Sequence, residues 1–167
     1  MLEQLEREAQ QRALILRLKV GRPLGLFSVH VAVGSRSDDA ARLVFQGELK
    51  AWAYPARHGL QLDTMRVVPG APPGTGDLIW AATMAWALEA TPCRSARLLA
   101  IHDDDRQHRR LVRYFKRRGF QTLRRVDAAL WDLPLRLVWG GSGALMRSEV
   151  ETVLERSLKG WHQSPAW

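Results

Sequence analysis

Residues 77–90 read DLIWAATMAWALEA, and only Asp77, Thr83 and Glu89 interrupt their apolar surface. A helix that is apolar on most of its sides is buried on most of its sides. The rest of the chain must therefore wrap it. Upstream, FSVHVAV (27–33) alternates apolar and polar residues, as a half-buried strand does. Residues 42–54 predict a second strand, with Gly47 placed for a bulge. LQLDTMRVV (60–68) predicts a third. The turn clusters GSRSDDA (34–40) and PARHG (55–59) are short, so the three strands form an antiparallel meander.

The flanks complete the plan. Leu2, Leu5, Ala9, Ala13, Leu14 and Leu18 lie mostly three to four apart, which predicts a helix over 2–18. GRPLG (21–25) stops it. After the buried helix, Pro92 closes the segment and ARLLAIH (96–102) predicts an apolar strand. Asp103 to Asp105 place acids where a helix dipole favours them. Residues 106–118 predict an amphipathic helix with His108, Leu111, Val112 and Phe115 on one side, ended by Gly119. Strands follow over 120–126 and 130–138, then GGSG (140–143). Ser148 and Glu151 have capping-box spacing for a last helix that Gly160 stops. No repeat or linker divides the chain, so 1–167 is read as one α+β domain. Its parts are an N-terminal helix within 1–20, a core over 27–138 and an extra helix over 148–160.

Composition removes several classes. The chain is 46% hydrophobic and 25% charged, as globular domains are. Cys93 is the single cysteine, which excludes a disulfide framework and a Cys-rich zinc site. No apolar run approaches the roughly 18 residues of a membrane span. MLEQLEREAQQR lacks the apolar core of a signal peptide, so a cytoplasmic location is expected. No metal site is expected, because a helix start explains His102 with Asp103 to Asp105. The net charge is +8, and nine cations fall in the acid-free window from Arg106 to Arg125. Outside it 16 cations stand against 17 acids. Such a local positive field suits a phosphate-bearing ligand, a nucleic acid or an acidic protein, or else is a solvated helix face.

The loop GTG (74–76) follows a strand and opens the buried helix. Glycines there let a ligand approach the backbone, and the helix start attracts anions. It is no nucleotide P-loop, since no GK[ST] follows. It is no dinucleotide fingerprint either, since Ile79 stands where a third glycine belongs. Taken in order, three motifs resemble the GNAT superfamily of N-acyltransferases over about residues 27–138. They are the strand LDTMRVVP (62–69) ending in Val67-Val68-Pro69, the loop Ala71 to Gly76, and HRRLVRYFKRRGF (108–120).

The resemblance implies a mixed, mostly antiparallel sheet splayed at its centre, with helices on both faces. It implies an acyl-coenzyme A-dependent N-acetyltransferase acting on a small-molecule or protein amine, with acetyl-coenzyme A as cosubstrate. The N–H groups of Gly74, Thr75 and Gly76 would hold pyrophosphate. Residues 65–68, with Val67 and Val68, would pair with the pantetheine arm. Arg109 and Arg113 would meet the 3′-phosphate, and Asp63 would be the base. The chain departs from the pattern at Ala71, where the family has Arg or Gln. It departs again at Pro72 and Pro73, which have no N–H, and at His108, where the family has Asn. The family's proton-donating tyrosine falls at Phe115, with Tyr114 one step round the helix. The two helices that usually follow the family's first strand have no room in 34–41. These departures define the alternative: a non-catalytic member that binds an acidic protein or nucleic acid through its Arg-rich helix.

Other residues carry two readings each. His30 and His108 are proton shuttles near neutral pH or satisfied structural histidines. Asp63 is an inward carboxylate or a solvated strand residue. Cys93 is read as structural. Trp52, Trp80, Trp86, Trp131 and Trp139 are expected in the core. Trp161 and Trp167 are expected beyond the last helix, frayed or at an interface.

Overall fold

The computed structural model describes residues 1–37, 42–101, 105–126, 134 and 142–165. Apart from residue 134, the expected strand over 130–138 lies outside them, as do Trp131, Trp139, His102, Asp103 and Trp167.

The order is α1 (Leu2–Gln11), β1 (Leu14–Gly21), β2 (Phe27–Arg36), β3 (Leu43–Ala53), β4 (Leu60–Val67), α2 (Thr75–Ala90), β5 (Ser95–Ile101), α3 (Asp105–Arg117), β6 (Gln121–Val126), β7 (Gly143–Glu149) and α4 (Val150–Gln163). The fold is α+β. Among the described residues seven strands form one mixed sheet in the order β1-β2-β3-β4-β5-β7-β6, and β4–β5 is its parallel pair.

The expected N-terminal helix is half helix and half strand. It ends at Gln11, Ala13 turns with φ 56°, and Leu14–Gly21 pairs along its length with β2. Leu14 and Leu16 are buried while Arg17 and Lys19 are exposed, a period of two. Spacings of four satisfy both periods, which is why Leu14 and Leu18 also fit a helix. The meander forms as expected, extended by β1. Its bulge sits beside Gly47: Val33 faces Gly47 and Gly34 faces Phe45, so Gln46 is the extra residue.

Helix α2 is wrapped as its composition demands. Leu78 through Ala87 are all buried, with Trp80 at 1% exposure. Trp80 packs against Phe115 and Phe120, at 6.2 and 5.8 Å between ring centroids. Helix α3 ends as expected in a left-handed Gly119 (φ 102°). Gly119 N donates to Lys116 O and Phe120 N to Phe115 O.

Helix α4 differs from expectation at both ends. Ser148 donates to Gly119 O instead of capping, and Gly160 lies inside the helix. A Cβ at Gly160 would lie 2.6 Å from the Asp77 carboxyl, so this glycine serves a close helix–helix approach rather than a stop. Trp161 is therefore core: fully buried, its ring beneath Arg12 at 3.9 Å and its Nε1 donating to Glu8 at 2.9 Å.

The helices α1 to α4 pack on the sheet face that carries Val29, Val31, Leu49 and Leu98. Among the described residues no helix covers the opposite face of β1–β4. There β1 and β2 are joined by the short turn Pro23–Gly25.

Candidate functional site at the divergence of β4 and β5

β4 is bonded differently along its two edges. Toward β3 it is paired from Leu60 to Val67. Toward β5 the pairing covers only Leu60–Ala96 and Gln61–Arg97, and beyond it the strands part into a wedge. Val68 donates its N–H to Gln46 O across β3. By strand alternation, Val67 and Met65 turn their backbone groups to the free edge. Val67 is 38% exposed there.

Asp63 is the bulge residue of β4. Lys50 faces Thr64 and Ala51 faces Leu62, so Asp63 is passed over in the register. It is exposed at the wedge rim and lines a cavity of about 50 Å³ at the wedge base, with Leu62, Thr64, Met65, Leu98 and Phe115. A space of that size holds a few atoms or waters. No residue of the proline-rich loop lines it.

The start of α2 faces the wedge mouth. Gly74 caps the helix in the left-handed region (φ 82°), packed beneath Ser164 and Trp161. Leu78 donates to Gly74 O. The N–H groups of Gly74, Gly76 and Asp77 have no protein acceptor among the described residues. Thr75 is buried, and both its N–H and its hydroxyl donate to Pro72 O, at 3.1 and 2.7 Å. So Gly74 and Gly76 remain from the expected donor set, and Asp77 supplies a third. A Cβ at Gly76 would meet Met65, Val67 and Arg118 at 3.7 to 3.9 Å, which places Gly76 between the free edge and a cation.

Arg118 was not singled out by sequence, yet it organises this corner. Its side chain is 12% exposed and bonds Asp77 Oδ1 at 2.9 Å and Ser157 Oγ at 3.2 Å. It also lies over the rings of Tyr114 and Trp80, at 4.8 and 5.5 Å. Its Nε is buried without a hydrogen-bond partner.

Tyr114 and Phe115 take different sides of α3. Phe115 lines the wedge cavity. The Tyr114 hydroxyl accepts from Trp80 Nε1 at 2.9 Å and lies 3.7 Å from Met65 Sδ. It therefore reaches β4 beside the free edge. Tyr114 also joins Arg106, Gln107, Arg110, Leu111 and Arg117 around an open groove of about 700 Å³. Arg109 and Arg113 are exposed but do not line it. The helical spacing 110, 114, 117–118 was the available signal.

The remaining candidates lie apart. His30 Nε2 is 2.6 Å from Glu48 Oε2 on the uncovered sheet face. His108 Nδ1 is within hydrogen-bond distance of Ile101 O, and Cys93 is fully buried. Among the described residues no three His, Cys, Asp or Glu side chains group to hold a metal. No helix among them is long and apolar enough to cross a membrane.

No protein-family model matches the chain, and no curated protein matches it.

Proposed function

We propose that the chain is an acyl-coenzyme A-dependent N-acetyltransferase of the GNAT type acting on an amine. The observation that carries this reading is the free edge of β4 running toward unpaired N–H groups at the start of α2. A free strand edge accepts an extended amide-bearing chain by adding hydrogen bonds, as the pantetheine arm requires. The N–H groups of Gly74, Gly76 and Asp77, with Arg118 Nη2 at 3.9 Å from the Cβ position of Gly76, suit a pyrophosphate. Arg106, Arg110 and Arg117 are better placed for a further phosphate than Arg109 and Arg113. The small space at the wedge base suits an acetyl group.

Acyl-coenzyme A supplies the activated carbonyl. The chain's residues would bring the amine to it and move two protons. Asp63, exposed at the rim, takes a proton from the ammonium and so frees the amine lone pair to attack the thioester carbonyl. Tyr114, whose hydroxyl lies beside Met65, returns one to the departing thiolate in place of the hydroxyl that Phe115 lacks. Phe115 is also what favours the second reading, a non-catalytic domain that takes an acidic partner on α3.

Calorimetry with acetyl-coenzyme A separates the two. Micromolar binding is expected, and Gly76→Trp should abolish it, since the new side chain would fill the wedge mouth without backbone strain. Absence of binding at millimolar ligand removes the transferase reading and leaves the docking one.

A further inference from the structure

The uncovered face of β1–β4 carries its own pattern. Lys19 faces His30, His30 faces Lys50, and Lys50 faces Thr64, one rung across four strands. The next rung is Arg17, Ala32, Glu48 and Arg66. Neighbouring strands lie about 4.8 Å apart, so Lys19 and Lys50 stand roughly 10 Å apart. The acids of these strands are Glu48, engaged by His30 and Arg66 at 2.6 and 3.7 Å, and Asp63, which lines the wedge. Neither lysine has a carboxylate within ion-pair distance among the described residues. A face selected for stability alone gains by setting opposite charges across from each other. This rung places two lysines about a histidine instead.

Aromatic rings accompany the cations. Phe45 and Tyr54 are 37% and 36% exposed. Trp52 is half-buried and tilted against Tyr54, at 6.5 Å between centroids. Trp52 lies two residues from Lys50 on β3, and so on the same face. Arg66 lies 5.0 Å from the Phe45 ring centroid. Cations that follow a phosphate chain, interleaved with rings on which bases stack, are the two components of single-strand recognition. Cations alone would suit an acidic protein equally; the rings interleaved with them, as stacking platforms for bases, favour nucleic acid.

We propose that the uncovered face of β1–β4 binds single-stranded nucleic acid, with Lys19 and Lys50 on the phosphates and Trp52 and Tyr54 beneath the bases. This surface is opposite the helices and does not depend on the wedge reading. The test is anisotropy of a fluorescein-labelled oligouridylate of about 12 nucleotides, within the usual site size. The titration is repeated from 50 to 200 mM salt. The Lys19→Glu/Lys50→Glu double variant should weaken binding about tenfold or more. It should also flatten the salt slope by about 0.7 for each phosphate that the protein no longer neutralises. Trp52→Ala should weaken binding about fivefold with the slope unchanged. Arg109→Glu/Arg113→Glu on α3 should stay within about twofold of the parent, which separates this face from general basicity. If the charge-reversed sheet variant fails to fold, Lys19→Gln/Lys50→Gln serves with a smaller effect in the same direction. The proposal is overturned if the sheet variants bind as the parent does or the α3 variant loses binding. It is equally overturned if polyglutamate competes as well as the oligonucleotide, which would mark an acidic-protein surface.

Discussion

Two polar clusters flank α4, and they differ in how fully their groups are paired. Near its C-terminal end, Glu8 accepts from Gln4, from Trp161 Nε1 at 2.9 Å and from His162 at 3.1 Å. Arg12 lies over the Trp161 ring and donates to the carbonyls of Trp161 and Ser164, which cap the helix. At the middle of α4, Ser157 meets the Asp77–Arg118 pair, but there Arg118 Nε and the first N–H groups of α2 are left over. Buried polar groups are ordinarily satisfied, so leftovers mark where something else binds or where strain is held. The first cluster is a clamp between chain ends. The second is a clamp that also faces the open wedge.

The largest effect should come from the satisfied cluster. Trp161→Ala removes a fully buried ring and leaves Glu8 without its principal indole donor. Such truncations cost about 3–5 kcal/mol. Urea unfolding of the parent and variant measures it. A cost under about 1 kcal/mol would mean that α1 and α4 are held by something other than this contact.

Arg118→Met tests the unsatisfied cluster. It keeps the packing over Trp80 and Tyr114 and removes the charge. Loss of a partly buried ion pair should cost about 1–2 kcal/mol, less than the Trp161 change, because Asp77 is 25% exposed and can be hydrated. Acetyl-coenzyme A affinity should fall about tenfold or more if the Arg118 guanidinium is a ligand contact. Equal stability costs for the two variants, with affinity unchanged, would erase the distinction between the clusters.

The elements with one dominant local cause were legible in the sequence. Helix α2 is apolar on most of its sides, and a helix of that pattern is buried. Gly119-Phe120 closes α3 because only glycine takes that backbone easily. Gly47 differs: a Cβ there would lie 2.8 Å from Arg66 O and 2.9 Å from Ile79, so its need for glycine comes from β4 and α2 rather than from the local backbone. What escaped depends on distant contacts. Gly160 looks like a helix stop until Asp77 is seen against it, and the misplacing of Trp161 follows from that. Leu14 and Leu18 satisfy two periods, and pairing with β2 decides between them. Every arginine of α3 lies at some helical spacing from the others. Their division into Arg106, Arg110 and Arg117 in the groove and Arg109 and Arg113 outside it follows the side of α3 that carries Tyr114. The parting of β4 from β5 has no local signature, since both strands read as ordinary strands. The bulge at Asp63 is equally invisible, because one passed-over residue leaves the alternation of LQLDTMRVV nearly intact.

The smallest effect uses pH to separate the clusters again. Burial pushes the Glu8 carboxyl upward, but hydrogen bonds from Gln4, Trp161 and His162, with the charge of His162, outweigh it and hold the group below its ordinary value of 4.5. A carboxylate depressed by folding contributes stability that is fully present above its unfolded value. That stability is lost as pH falls through the folded one. Glu8→Gln keeps an acceptor for Trp161 but no charge. It should cost about 1 kcal/mol at pH 7. The gap should close below pH 4.5, where the parent becomes protonated and resembles the variant. Unfolding midpoints at pH 7 and at successive steps below 4.5 measure the gap directly. A gap that stays constant across that range would assign the Glu8 contribution to packing rather than to its charge, and the clamp would then differ from the Arg118 cluster in shape alone.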